Sequence, residues 1–406
     1  MLETDKAVAK KFGIDLDFIE KKSNTQRNAN ILGNDLTFIG VREFERTKHV
    51  HRLHPYLGKF IPQLVEVFLR KYFKKGDTIL DPFSGSGTAL IEANVLGMNS
   101  IGIELSPFNV LIQQVKTRKY NIPEVEAEIK DALTRLKSFS YYMQNKTEPL
   151  FGPRLERLEI DSEYLKYWFS ERALQEILFY RGIIKNYKNQ DVLEVILSRS
   201  ARSARLIPHY DLARPKKAVR ETYWCIKHKR YCEPINEALK FINRYSWDTI
   251  RRLKEFDKLR TAALIEIIQG DARTIELPKD LRITGMFTSP PYVGVIDYHE
   301  QHRYAYELFN FPRQDELEIG PATKGQNGNA QKEYVQGIVG ALRNVSKNLV
   351  DGALVFIVAN DKFNLYPSIG RSCGFELIDV FHRPVLMRTE RDSNRYFESI
   401  FCFRKR

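Results

Sequence analysis

Residues 285–298, GMFTSPPYVGVIDY, end an apolar run on Ser289-Pro290-Pro291-Tyr292. Two adjacent prolines supply no backbone N–H and hold φ near its extended value, so sheet pairing stops there. The carbonyls of Ser289 and Pro290 are left without ladder partners and point wherever the rigid loop aims them. Tyr292 places a flat ring beside these acceptors. Fixed acceptors next to a ring face suit the capture of a planar amine, and alone the four residues fit an ordinary strand-ending turn equally well.

A second group of residues has the make-up of a nucleoside site. In DPFSGSGT (81–88), Gly85 and Gly87 remove Cβ atoms where a ligand must approach the backbone. A dinucleotide fingerprint needs a third glycine where Leu90 stands, and a phosphate loop needs Gly-Lys-Ser/Thr where the chain reads Leu90-Ile91-Glu92. Asp81 would repel a pyrophosphate but could hold an ammonium group. Glu104, closing NSIGIEL (99–105), is placed to accept ribose hydroxyls, and Asp271 in IEIIQGDAR (265–273) to accept an adenine amino group. An acidic residue, two glycines and a distal glutamate suit S-adenosylmethionine, which carries no phosphate. Read one at a time, the glycines fit a tight turn and Asp271 a helix cap.

These residues need a scaffold that brings strand ends together. TILD (78–81) reads as a strand, TALIEANVLG as a helix and NSIGIEL as the next strand, a unit of the doubly wound type. Ligands of such sheets sit at the carboxyl ends of the strands. The 406-residue chain, 43% hydrophobic and 28% charged, has ample material for a core. Its net charge of +13 suggests an anionic partner, nucleic acid before membrane. The charged N-terminus carries no secretory signal, GALVFIVA (352–359) is too short to span a bilayer, and the four cysteines form no disulfide framework. A cytoplasmic location is therefore expected.

Together these stretches resemble the S-adenosylmethionine-dependent DNA amino-methyltransferases, the N4-cytosine and N6-adenine modification methylases. DPFSGSGT looks like their cofactor loop and TSPPY (288–292) like their catalytic motif. HPYLGKFIP (54–62) resembles the segment over the methionine end of the cofactor, while LVDGALVFIVAND (349–361) and NRYFESIFCFRK (394–405) resemble late strands. The resemblance spans roughly 48–112 and 262–406 and implies an α/β fold: a Rossmann-like methyltransferase sheet with helices on both faces and an inserted, mainly helical recognition region. The implied regions are 1–112 with the cofactor motif, 113–261 for target recognition and 262–406 with the catalytic motif.

The resemblance further implies S-adenosyl-L-methionine as cofactor, held by Lys59, Phe60, Asp81, Pro82, Phe83, Gly85, Gly87, Thr88, Glu104, Asp271 and Thr288. Ser289, Pro290, Pro291 and Tyr292 would form the catalytic loop, acting on a base flipped out of double-stranded DNA. A serine at the first motif position goes mostly with cytosine in this family, and aspartate or asparagine with adenine. Adenine N6, an RNA or protein amine, and a DNA-binding protein with an idle methylase fold stay open as alternatives. A cognate restriction endonuclease is a possible partner.

Within the insertion, Ser198 to Arg230 hold ten lysines or arginines against two acids, interleaved with Tyr210, Tyr223, Trp224 and Tyr231. Arg199, Arg202, Arg205, Arg214, Lys216, Lys217, Arg220, Lys227 and Arg230 are expected to meet DNA, with ring faces beside phosphate-binding charges. Cys225-x2-His228-x3-Cys232 invites a zinc reading, but only His209 is near as a fourth ligand, so no metal is expected and the cysteines read as packing residues. The histidines of HVHRLH (49–54) are expected at the cofactor entrance or in a turn. PRQDELEIGPATKGQNGNAQKEY (312–334) reads as a mobile loop that orders when DNA binds.

Overall fold

TILD alternates its burial between two faces, Ile79 packing into one apolar cluster and Leu80 into another, as a strand at the middle of a covered sheet must. The structure, a computed structural model, describes residues 30–31, 34–38, 40–56, 58, 60–145, 158–211, 215–385 and 396–406. Seven strands make one sheet: β1 (Thr78–Asp81), β2 (Asn99–Glu104), β3 (Ile265–Gln269), β4 (Ile283–Thr288), β5 (Leu349–Ala359), β6 (Phe375–Val385) and β7 (Tyr396–Lys405). Their spatial order is β6-β7-β5-β4-β1-β2-β3. Strands β1 to β5 run parallel, and β7 lies antiparallel between β5 and β6. The chain winds outward from β1 to β3 and then returns to the other side of β1. That reversal opens a crevice at the carboxyl ends of β1 and β4.

Helices cover both faces. Helices α1 (Pro62–Tyr72) and α2 (Thr88–Val95) pack Leu64, Phe68, Ala89 and Ala93 with Ile79, Phe287 and Phe356 on one side. Helix α3 (Pro107–Thr117) begins on Pro107 behind the N-cap Ser106, whose hydroxyl accepts from the Asn109 N–H. The insertion supplies α4 (Ile122–Asn145), α5 (Glu163–Trp168), α6 (Glu171–Ile184), α7 (Gln190–Ala204) and α8 (Leu239–Asp257). After β4 come α9 (Arg303–Phe309), α10 (Gly328–Ser346) and α11 (Tyr366–Ser372). Ile338 and Leu342 of α10 and Ile369 of α11 close the second face over Leu80, Met286 and Val355. Among the described residues no helix is long and apolar enough to cross a membrane.

Two expectations, the boundary at 112 and the loop over 312–334, need correction. The boundary at 112 falls inside α3, whose Leu111 and Val115 share one core with Leu133, Ile177, Val192 and Leu253 of the inserted helices. The insertion is mainly helical as expected, with one small ribbon in which Tyr223–Cys225 pairs antiparallel with Arg230–Cys232. Residues 312–334 are not a single irregular loop: from Gly328 onward they are helix α10, capped by Asn327, and Glu318 accepts the backbone N–H groups of Tyr298 and His299. Cys225 and Cys232 are buried, and His209 and His228 lie beside them, with four ligating atoms within 4.8 Å of one another.

The basic stretch also divides. Arg199 and Arg205 are buried, at 5% and 4% exposure, because α7 is covered on most of its circumference. Arg199 donates to Asp248 at 2.7 Å and lies over the Tyr245 ring, while Arg205 lies over the Tyr304 ring. Both are removed from the candidate DNA surface, and Arg202 is only half-exposed. Burial alone would raise the Asp248 carboxyl, but Arg252 and Arg199 outweigh it and hold the group well below the usual range. A depressed acid stabilises above its unfolded value, and that contribution is lost as pH falls below it. Arg199→Ala should therefore cost about 3 kcal/mol at neutral pH and less in acid, measured by denaturant unfolding, without altering the salt dependence of DNA binding.

Candidate active site

The last residue of β1, Asp81, turns its carboxylate into the crevice and is almost wholly buried. Its Oδ1 accepts the Thr288 hydroxyl at 2.6 Å and the Phe83 N–H at 3.1 Å. Among the described residues no basic side chain pairs with it. Burial therefore pushes its pKa up to about 7, against the pull of those two hydrogen bonds. A buried carboxylate without a cation is matched to a ligand that brings one, such as an amino-acid ammonium. The chain after Asp81 turns through Gly85 at φ +52, where an added Cβ would meet the Tyr56 hydroxyl at 3.2 Å. Gly87, at φ +79, is the N-cap of α2.

Glu104 ends β2 and is pre-positioned by three donors. It accepts from the N–H of Gly85 at 2.8 Å, the N–H of Ser106 at 2.9 Å and Asn109 Nδ2 at 3.1 Å. A carboxylate has about four lone-pair sites, so capacity for a further donor such as a sugar hydroxyl is left. Burial raises its pKa, opposed by those hydrogen bonds. Asp271 stands two residues beyond β3, its carboxylate gripped by Arg273 Nε at 2.8 Å.

These groups line a single cleft at the carboxyl ends of β1 and β2. Of the expected cofactor residues, Phe60, Asp81, Pro82, Phe83, Gly85, Thr88, Glu104 and Asp271 line it; Gly87 and Thr288 stand behind the wall. Lys59 lies outside the described residues. Sequence reasoning missed Tyr56, Asn109, Tyr298, His299 and Glu318, which line the same cleft. Tyr56 stacks between Tyr298 and His302, with ring centroids 6.0 and 5.6 Å away. Ser106-Pro107, beginning two residues after Glu104, was the available signal for Asn109, because a capped helix start fixes the third residue against the cap.

The Ser289–Tyr292 loop runs between two cavities. Ser289 and Pro291 belong to the wall of the first cleft. Tyr292 belongs to a second, with Asn360, Asp361, Lys362 and Phe363. Pro290 lines neither and is buried between them. The loop is braced from behind: the Tyr334 hydroxyl donates to the Pro291 carbonyl at 2.8 Å and meets the Tyr366 hydroxyl at 2.7 Å. Tyr292 donates to Glu398 at 3.2 Å, and Glu398 is itself paired with buried Arg383.

Other expected positions fall elsewhere. His49 and His51 are buried at Glu92, which Lys48 also reaches at 2.8 Å, and His54 is buried 3.2 Å from the Tyr304 hydroxyl. None of the three lines the cofactor cleft. Lys216, Lys217, Arg220, Lys227 and Arg230 are exposed on and beside the ribbon, with Trp224 and Tyr231 at 52% and 71% exposure. Arg214 lies outside the described residues.

A cleft for a phosphate-free nucleoside joined to a braced loop of acceptors defines a methyltransferase that works on an amine. A DNA methylase family model for N6 and N4 enzymes matches residues 20–116. Type II methyltransferase M.MjaII of Methanocaldococcus jannaschii is 42% identical over 95% of this chain and 86% of its own length. Type II methyltransferase M.BsoBI of Geobacillus stearothermophilus is 26% identical over 65% of this chain and 53% of its own. Among solved structures, TrmN from Thermus thermophilus is similar over 86% of this chain and 50% of that one, at 12% identity and a TM-score of 0.33, too distant to add to the assignment. The chain belongs to the S-adenosylmethionine-dependent DNA amino-methyltransferases.

The raised Asp81 predicts a pH effect. Between its ordinary 3.8 and about 7 the folded protein keeps a proton that the unfolded chain has lost. Stability therefore falls as pH rises through that window, whereas a cationic ligand binds the ionised form and gains affinity. Calorimetric titration with S-adenosylhomocysteine should show affinity rising between about pH 6 and pH 8, by at most about tenfold per unit. Asp81→Asn should lose on the order of a hundredfold at the upper end, as for about 3 kcal/mol from a broken buried charge pair, and show no such rise. A flat profile in the parent protein would remove the ammonium from Asp81.

Proposed function

We propose that the chain methylates the N4 amine of cytosine in duplex DNA at a specific site, as the modification half of a restriction–modification pair, in the cytoplasm. The observation that supports it is the placing of a serine, Ser289, at the head of a braced loop shared by two cavities. The first cavity takes the cofactor, with Asp81 on its ammonium, Glu104 on its ribose and Asp271 on its adenine; the motif also assigns Lys59 to this site. S-adenosylmethionine bound there supplies a methyl group on a positively charged sulfur. The second cavity takes the flipped base.

An exocyclic base amine is a poor nucleophile because its lone pair is delocalised into the ring. The Ser289 hydroxyl and Pro290 carbonyl accept its two hydrogens, which turns the lone pair out of conjugation. Acceptors already in place stabilise the positive charge that grows on nitrogen as the new bond forms. Holding the amine in line is the other main resource. The amine proton leaves to water after transfer, so neither a strong base nor a covalent intermediate is needed. Tyr292 supplies a face for the base, its ring anchored through Glu398. A hydroxyl can both accept from the amine and donate to the neighbouring ring nitrogen, whereas a carboxylate only accepts, which favours cytosine for Ser289.

Lys216, Lys217, Arg220, Lys227 and Arg230, with Arg214, carry the phosphate contacts of this reading. The inserted helices α4 to α8 with the ribbon act as the recognition region, and a partner endonuclease would cut the same site. Incubation with labelled cofactor and varied DNAs, followed by nucleoside mass spectrometry, should give N4-methylcytosine. N6-methyladenine as the sole product would overturn the base assignment, and a product confined to RNA would overturn the substrate. Ser289→Ala should lower turnover by about a hundredfold or more with cofactor affinity nearly unchanged. Replacing Lys216, Lys217 and Arg220 by alanine should flatten the log–log salt dependence of DNA binding by about one unit for each phosphate no longer neutralised. An unaltered slope would return the ribbon to an ordinary surface.

A further inference from the structure

We propose that His209, Cys225, His228 and Cys232 together hold one zinc ion that fastens the basic ribbon to the end of α7. The ribbon has three residues in each strand, with Cys225 opposite Arg230 and Cys232 opposite Tyr223. Directly opposed residues share a face, so this register turns both thiols to one side. Both cysteines are buried, while Trp224 and Tyr231 on the opposite side are exposed. Lys229 adopts φ +52, and the turn brings His228 Nδ1 to 3.4 Å from Cys232 Sγ. From the loop beyond α7, His209 sets Nδ1 4.0 Å from Cys225 Sγ, and its ring centroid lies 4.7 Å from that of His228.

The four ligating atoms lie within 4.8 Å of one another. Tetrahedral zinc, with bonds of about 2.3 Å to sulfur and about 2.0 Å to nitrogen, needs ligand separations of roughly 3.3 to 3.8 Å. A small inward movement of the side chains closes the set. Two thiolates with two imidazoles select zinc over calcium or magnesium, which prefer oxygen. Two thiolates also cancel the charge of the ion, so the ribbon keeps its own positive charge. A two-stranded ribbon is marginal in water by itself, and metal binding supplies the missing stability. The Tyr223 hydroxyl accepts the His209 backbone N–H at 3.0 Å and sits 2.9 Å from its Nδ1, an interaction that the metal would replace.

The test reads metal directly and is independent of any DNA assignment. Full-length protein purified without a metal-binding tag or chelator should contain one zinc per chain by mass spectrometry of the metal. Cys225→Ser with Cys232→Ser should abolish it, while Cys373→Ser with Cys402→Ser, outside the cluster, should retain it. Should the first pair fail to fold, cobalt-substituted parent protein decides the matter. Tetrahedral d–d bands with thiolate charge transfer support the site, and their absence overturns it. Background zinc in the parent, full zinc in the Cys225/Cys232 variant, or recovery of Cys225 and Cys232 as a disulfide would each overturn the proposal.

Discussion

The hydrogen bond between Asp81 and Thr288 joins the two halves of the site. Each residue is the last of its strand, and β1 and β4 are paired only through Ile79–Gly285 and Leu80–Met286. Beyond that short ladder the strand ends would be free to splay. The 2.6 Å bond from the Thr288 hydroxyl closes them where the glycine loop and the proline loop diverge. Gly285 makes the approach of the covering layer possible, since an added Cβ there would sit 2.0 Å from the Phe73 ring. Among the described residues, the same carboxylate that fixes the geometry has no basic partner.

From that joint the rigidity spreads outward. The proline loop cannot take part in the sheet, so its carbonyls need other restraints, and Tyr334 with Tyr366 provides one through Pro291. On the opposite wall Glu318 binds two backbone N–H groups at the start of the Tyr298 helix and pairs with His299. Each restraint is made by protein atoms before any ligand arrives. Catalysis that relies on fixed acceptors depends on that order of events, because a loop that had to be ordered during the reaction would return the gain as entropy.

Residues at strand ends were legible in the sequence because a local pattern fixes them. Asp81, Gly85 and Glu104 follow from a strand, a turn and a second strand that are contiguous in the chain, and the paired prolines announce where β4 stops. Tyr56, Tyr298 and Glu318 come from loops distant in sequence and meet only through the fold, and no local spacing marks them. Charge density also misled: a count of arginines does not separate Arg199, paired inside the helical bundle, from exposed Lys216. The sequence shows His209 as a neighbour of Cys225, His228 and Cys232, but a separation of 16 positions from Cys225 does not tell that the fold sets their ligating atoms together.

The buried arginines explain how a helical insertion serves a distant cleft. Asp248 of α8 accepts Arg199 of α7 and Arg252 of its own helix. Arg252 in turn donates to the carbonyls of Thr47 and His49, at 3.1 and 2.9 Å. Those carbonyls belong to the segment that leads to Tyr56, which packs against Gly85. A continuous run of buried, directional contacts therefore links the helix that precedes the basic ribbon to the wall of the cofactor cleft. Apolar packing alone would tolerate sliding between these layers, whereas hydrogen-bonded charges in a low-dielectric interior do not. The interior arginines therefore hold α7 and α8 against the segment that carries Thr47 and His49.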